Sequence, residues 1–372
     1  MTVKRKVTGG RGDLIGRPYQ IYALLLLLLC AGMAVLSQEE ERVWQVFLRR
    51  DVDASGIDQL VFLDVLTGDE VEVEVVGERY TLVEQSVMYF DLSTRRVMLA
   101  SPDGDTRPHP FIQPGLLTRR VDWIVSGDGS TLAWTLTEGD PAALTTITTV
   151  ASIDGTSPHQ VLQDGPRNGI RAMPVAFSGD NSLLYMDYQP DMIGDFTPFR
   201  QYAGLFSVDV KDNSVAYLPG EPGCFCGAGI GEGWFLRLAL TNDLSGFDVK
   251  VVNLTTQAEF LIPALRLSNY TQAGGIVVSR DGTRAVYALA QIRDFGQPTQ
   301  STETVFMLVN LLDFTQTTLT QPVQTFVRPL AFTDDNTAVL FTSPEEDGTW
   351  KVNIGDGRLN KVASATYLGE LG

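Results

Sequence analysis

Downstream of Ser37 the chain reads as a succession of short apolar runs separated by turn-forming residues, with strict alternation in stretches such as "EVEVEVV" and "TTITTVA". Apolar residues at i, i+3 and i+4 are not sustained anywhere in this part, so the pattern predicts strands and not helices. One ten-residue unit recurs: "VSGDGSTLAW" from Val125, "FSGDNSLLYM" from Phe177, "VSRDGTRAVY" from Val278 and "FTDDNTAVLF" from Phe332. Each copy is a strand end, a Ser or Thr, a variable residue, Asp, then Gly or Asn, and a new apolar strand. Gly and Asn adopt positive φ at low cost, and an Asp side chain accepts hydrogen bonds from the backbone of its own turn. The unit therefore predicts a tight hairpin with Asp128, Asp180, Asp281 and Asp335 as its fixed points. Their separations of 52, 101 and 54 residues leave room for a degenerate copy, which "AGIGEGWFLRLAL" from Ala228 supplies.

A second unit, an apolar strand closing on Asp or Asn before a turn and another strand, occurs seven times, near Asp64, Asp91, Asp154, Asp209, Asn253, Asn310 and Asn353. Four short strands per period of about 50 residues is the signature of a β-propeller. Each blade buries both faces against its neighbours, and closing the ring leaves no end blade exposed. Seven blades are expected, with six as the alternative, because Asp64 and Asp91 are only 27 residues apart. Either the first blades are abbreviated, or residues 43–76 complete a blade by pairing the two chain ends. The tandem units resemble those of TolB-type, WD-repeat-like propellers, whose hallmark is Ser-Pro-Asp-Gly followed by an apolar–aromatic strand. The proline is replaced here by Gly127, Gly179, Arg280 and Asp334, and the literal Ser101-Pro102-Asp103-Gly104 precedes "DTRPHP", which does not read as a strand. The resemblance covers about residues 120–360 and implies a fold, not an activity.

The N-terminus differs in kind. "IYALLLLLLCAGMAVL", Ile21 to Leu36, carries no charge and follows Lys4, Arg5, Lys6, Arg11 and Arg17. A basic segment before an apolar run predicts a cytoplasmic tail over 1–20, a signal anchor or transmembrane helix over 21–37, and an extracytoplasmic propeller over 43–372. Cleavage after Ser37 and lipidation at Cys30 are the competing outcomes. Setting residues 1–37 aside changes the net charge from −17 to −21. That sign disfavours nucleic acid as a partner and leaves another protein or an envelope component.

Candidate chemistry is sparse. Cys224 and Cys226 in "GCFCG" could form a local disulfide, bind a soft metal or act as a redox pair, but no third cysteine or histidine lies nearby. His109 and His159 each follow a proline in a turn and read as solvated loop residues. No Gly-x-Ser-x-Gly elbow accompanies them, no residue is assigned a catalytic role, and no cofactor is expected. The recurrent Trp134, Tyr287, Phe341 and Met186 share one strand position, which predicts packing between blades. Two insertions, "QPDMIGDFTPFRQYAG" from Gln189 and "AQIRDFGQPTQSTET" from Ala290, are long, aromatic and charged, as binding loops on rigid scaffolds are. They nominate Phe196, Phe199, Arg200, Tyr202, Arg293 and Phe295 as ligand contacts. The expected role is a non-catalytic protein-binding or scaffolding module. The alternatives are an enzyme acting on glycans through carboxylates at the central channel, or a metal or redox role at the cysteine pair.

Overall fold

The computed structural model describes residues 42–51, 55–191, 199–218, 227–267, 269–294 and 296–372. The expected anchor over 21–37, Phe196, Phe295, Cys224 and Cys226 lie outside the described residues. Blade 1 contains β1 (Trp44–Arg49), β2 (Asp58–Asp64) and β3 (Glu70–Val75); blade 2 contains β4 (Gly77–Val83), β5 (Ser86–Asp91), β6 (Arg96–Ala100) and β7 (Thr106–Pro108). Blade 3 follows with β8 (Thr118–Val125), β9 (Thr131–Glu138), β10 (Leu144–Ser152) and β11 (His159–Arg167). Blade 4 has β12 (Ile170–Phe177), β13 (Leu183–Pro190), β14 (Phe206–Asp209) and β15 (Val215–Tyr217). Blade 5 has β16 (Ala228–Gly231), β17 (Trp234–Leu240), β18 (Phe247–Asn253) and β19 (Glu259–Ile262). Blade 6 has β20 (Gln272–Val278), β21 (Arg284–Arg293), β22 (Ser301–Asn310) and β23 (Thr315–Thr318). Blade 7 has β24 (Arg328–Phe332), β25 (Ala338–Thr342), β26 (Thr349–Asn353) and β27 (Leu359–Ala363), after which β28 (Thr366–Leu371) closes the chain.

These strands make seven four-stranded antiparallel sheets, which settles the blade number at seven. The first sheet has the order β28-β1-β2-β3, so the last strand of the chain is the innermost strand of blade 1. β28 pairs with β1 from Trp44↔Leu371 to Leu48↔Thr366. Residues 43–76 thus supply three strands of blade 1 and borrow the fourth, while the short spacing between Asp64 and Asp91 arises because Asp64 ends the third strand of its blade and Asp91 the second strand of the next.

Alternation within each strand builds the core between blades. On β21, Ala285, Tyr287 and Leu289 pack toward Leu236, Leu238, Val249 and Val251 of blade 5. Their neighbours Val286, Ala288 and Ala290 pack the other way, with Phe306, against Phe332, Val339 and Phe341 of blade 7. Both faces of a blade are apolar because both are covered. Trp134 is buried in the junction of blades 2 and 3, Met186 in that of blades 3 and 4, as their shared position predicts.

Every ten-residue unit forms the hairpin between the first and second strands of its blade, and the degenerate copy occupies the β16–β17 hairpin. In blade 3 Ser126 Oγ donates to Asp128 Oδ1 at 2.6 Å, the Ser130 amide donates to the same oxygen at 3.0 Å, and the Gly129 amide reaches Ser126 O at 2.9 Å. Gly129, Asn181, Gly282 and Asn336 take φ of 71°, 58°, 66° and 55° at equivalent places, which is why only Gly and Asn appear there. The second unit forms the hairpin between third and fourth strands, with one exception. Asp91 ends β5, so its turn joins the second and third strands of blade 2. Ser101 to Asp105, expected to lead nowhere, is the β6–β7 hairpin, and Ser101 Oγ donates to Asp103 Oδ1 as in the ten-residue unit.

Two further expectations are corrected. Ala290 to Arg293 and Ser301 to Thr304 extend β21 and β22, paired up to Arg293↔Ser301, so only the residues between them form a loop. His109 is 3% exposed, not solvated: its Nδ1 accepts from the Ile112 amide at 3.2 Å, and burial holds its pKa down to about 4.

Two outcomes test this account. Ending the chain at Ala365 removes β28, exposes the edge of β1 and is expected to lower Tm and cause self-association, read by calorimetry and light scattering. Asp180, Asp243 and Asp281 are held down to about 2 by hydrogen bonds from Ser and Thr hydroxyls and turn amides, against 3.8 for an ordinary aspartate. A depressed carboxylate stabilises the fold above its unfolded pKa, and that contribution disappears as pH falls from about 4 to about 2. Asp281→Asn should flatten the loss of Tm across this interval.

Candidate functional site

The innermost strands line a central channel, and at one mouth lies a cavity of about 730 Å³. Because a blade runs up, down, up and down, the repeated hairpins sit at one end of the ring. The mouth lies at the other end, where the first strands begin and the loops between second and third strands project. Most of its charged residues come from the first strands of blades 2, 3 and 4: Glu78 and Arg79 on β4, Arg120 and Asp122 on β8, and Arg171 on β12; Arg50, just after β1, and Arg200, after β13, add to them. Blades 5 and 6 present Ala228, Gly275 and Ile276 instead, and blade 7 adds Arg328 and Pro329.

Asp122 organises the charged side. It is 1% exposed and accepts from Arg79 Nη1 at one carboxylate oxygen and from Arg171 Nη1 at the other. One carboxylate thus ties three successive blades. Burial alone would raise the pKa of Asp122, but the two guanidiniums outweigh it and hold the carboxyl below its ordinary value. Arg171 is also buried, and its Nε lies 3.8 Å from Asp191, whose other oxygen takes Arg119 at 3.1 Å. Arg171 is pushed below its usual value, first by burial and then by Arg120 and Arg79, against the pull of Asp122. Arg79 reaches Asp122 from a β-bulge, where the β4 register shifts between Glu78 and Thr81 and Arg79 itself takes φ of 63°. A bulge of this kind re-aims a side chain at the expense of local strain. Trp123 Nε1 donates to Thr81 Oγ1 at 2.9 Å and fastens β8 to β4 beside it.

The Nε atoms of Arg120 and Arg171 are both buried without a hydrogen-bond partner. Arg171 is held through Nη1 by Asp122, and among the described residues Arg120 makes no such ion pair.

The loop after β13 supplies the opposite wall. Asp187 on β13 is buried and accepts from the Gly204 amide at 2.7 Å, and it also accepts from Gln189 Nε2, which donates to Gln201 O at 2.7 Å. Burial raises the pKa of Asp187, and these hydrogen bonds counter it only in part. Phe199, 1% exposed, packs at 4.9 Å from Phe326 and rests on Gly274, where a Cβ would stand 2.4 Å from the Phe199 Cβ. So anchored, the loop presents Arg200 over the ring of Tyr202 at 5.4 Å, with Nη2 2.9 Å from Met173 Sδ.

Of the residues nominated from sequence, Phe199, Arg200 and Tyr202 line the cavity, Phe199 mainly as packing. Arg293 is at the exposed end of β21, bonded to Gln291 Oε1 at 3.2 Å, and is not part of the lining. His109 and His159 are also apart from it; His159 is exposed with Nε2 2.7 Å from Val210 O. Sequence reasoning missed Arg50, Arg79, Arg120, Asp122, Arg171 and Arg328. A loose signal existed: Arg120, Arg171 and Arg328 stand five, six and four residues before their ten-residue units, a basic residue near the start of the first strand in three of the four copies. Among the described residues no group of three or more His, Cys, Asp or Glu could hold a metal ion.

Comparison with known proteins gives the fold. No family model matches the chain, and no curated protein does. Among solved structures, one from a study of two prolyl endopeptidases is 12% identical with a TM-score of 0.56 over 95% of this chain. The match spans only 56% of that peptidase. An oligogalacturonate lyase in complex with manganese is 12% identical with a TM-score of 0.51, covering 83% of both chains. TolB from Acinetobacter baumannii is 15% identical at a TM-score of 0.39, over 72% of this chain and 61% of its own. The propeller expected from the TolB resemblance is present, and its neighbours include enzymes.

Two substitutions probe the architecture of the mouth. Asp122→Ala leaves two arginines at a buried position without their shared carboxylate and should cost about 3–5 kcal/mol in denaturant unfolding. Gly274→Val should displace Phe199 and with it Arg200 and Tyr202, seen as increased proteolysis of the loop with little change in far-ultraviolet circular dichroism.

Proposed function

We propose that this chain is a membrane-anchored, extracytoplasmic propeller that binds another protein or an envelope component at the channel mouth, without catalysis of its own. The observation that carries the binding reading is the mouth itself. Its charged side is tied across three adjacent blades by the buried Asp122, and a loop fixed by the buried Asp187 supplies another wall. Rigid placement of a few polar groups in a concave site is what binding sites require.

The non-catalytic part rests on Asp122. Glycan chemistry by paired carboxylates needs one acid held protonated near neutral pH and a second group free to attack or to activate water. Asp122 is kept ionised and has both oxygens occupied by arginines, while Asp187 is committed to backbone amides of its own loop. The enzyme reading draws on the likeness to the lyase and the peptidase, which at 12% identity extends to the fold alone.

The anchor is supported by the basic segment before Ile21 and the uncharged run to Leu36. Retention of the full chain in membranes washed with alkaline carbonate, with the propeller digested by protease added from outside, is expected. Recovery of a soluble chain beginning at Gln38 would refute the anchor. Affinity capture from those membranes should yield a partner that is lost with Tyr202→Ala and kept with Asp281→Asn on the opposite face. Chemical turnover of the captured partner by the purified chain would overturn the non-catalytic part.

A further inference from the structure

The lining of the channel mouth is opposite in sign to the rest of the molecule. Six arginines and two acids, Glu78 and Asp122, line the cavity, and two further acids outside the lining, Asp58 and Asp191, pair with Arg50 and Arg171, so the six arginines still outnumber these acids by two. The whole chain carries −17. Such an excess, partly desolvated, is self-repelling, and here it is only partly compensated. Asp122 is already shared by Arg79 and Arg171, and Asp191 by Arg119 and Arg171. Arg120 has no such ion pair among the described residues, and its Nε, like that of Arg171, is buried without a hydrogen-bond partner. A buried, charged donor without an acceptor is costly in isolation, and it signals that an acceptor arrives from outside.

The cations are distributed around the cavity: Arg120 on blade 3, Arg200 on the blade 4 loop and Arg328 on blade 7. A single compact anion serves one wall; charges on walls from separate blades suit a ligand carrying anionic groups at more than one end. Guanidinium forks match the paired oxygens of carboxylates and phosphates, and the volume of about 730 Å³ is that of a small-molecule site. We infer that the channel mouth binds a small organic polyanion bearing two or more carboxylate or phosphate groups, with Arg120 as the unpaired donor that receives one of them. The inference rests on the proposal that the mouth is the binding site, and it names the chemistry recognised there: the anion is free, or it is displayed by the protein or envelope component that docks.

The test is calorimetric titration and thermal unfolding of the full chain in neutral detergent, with citrate and pyrophosphate as probes and sodium sulphate at matched ionic strength as the control. One or both probes should bind at one per chain and raise Tm beyond the control; which one binds tells whether carboxylate or phosphate is the recognised group. Arg120→Ala should weaken binding roughly ten- to a hundredfold, while the ligand-free Tm stays the same or rises, because a repelling charge without a partner has been removed. A merely structural Arg120 would instead lower the ligand-free Tm. Arg120→Lys keeps the charge and loses the fork, and should fall between; Arg200→Ala, at an exposed position, gives the same reading should Arg120→Ala not fold. Binding of neither probe above the control, or equal binding by wild type, Arg120→Ala and Arg200→Ala, overturns the inference. Failure here with a partner still lost from Tyr202→Ala leaves the binding proposal standing; saturable anion binding with partner capture indifferent to Tyr202 does the reverse.

Discussion

Everything in this molecule depends on the antiparallel pairing of β28 with β1. A propeller blade is apolar on both faces, so an open array would end in two uncovered hydrophobic surfaces. Here the ring is closed not by packing alone but by a shared sheet, in which Thr366 to Leu371 becomes the innermost strand of the blade begun by Trp44. Val46, Leu48, Leu60 and Phe62 of that blade then join Leu371 in one buried cluster with Val87 and Tyr89 of blade 2. Ring closure is therefore a matter of hydrogen bonds and apolar burial at the same place.

Closure also divides the labour between the two ends of the ring. The recurrent Ser-x-Asp-Gly and Ser-x-Asp-Asn hairpins gather at one end and touch one another: Asn181 Nδ2 lies 3.0 Å from Asp128 Oδ2, and the Arg280 amide donates to Asn336 Oδ1 at 3.1 Å. Their aspartates are consumed by their own turns. The opposite end is where regularity lapses, with the Arg79 bulge and the loop held by Asp187, and where the arginines accumulate. Repetition builds the scaffold, and departures from it build the site.

Charge follows the same division. The chain as a whole is acidic, with a net charge of −17, which disfavours nonspecific anions. The positive mouth is assembled from strands of several blades, each contributing one or two arginines that would be unremarkable alone. Asp122 makes their proximity tolerable by neutralising Arg79 and Arg171 at once.

The local order was legible in the chain itself. Period-2 apolar runs, the Asp-Gly and Asp-Asn turns and a spacing near 50 residues specify strands, hairpins and a ring, because a turn of that kind needs only its own five or six residues to form. Even so, local readings misplaced what depends on neighbours. The Asp91 turn has the same backbone pattern as the Asp64 turn, with amides two and three residues on donating to the carboxylate, yet it joins a different pair of strands. His109 looked solvated after its proline and is buried in T-shaped contact with Phe111, which itself packs on Trp134 of blade 3. The candidate site shows the same split. Phe199, Arg200 and Tyr202 could be nominated because a long, aromatic insertion is visible in one stretch of sequence. Arg79, Asp122 and Arg171 could not be joined, since 43 and 49 residues separate the members of each pair and nothing within any one strand marks them as partners. The sequence by itself determined the strands, the hairpins and the ring; only closure of the ring, which brings the starts of three first strands to one channel mouth, decided the number of blades and brought those residues together.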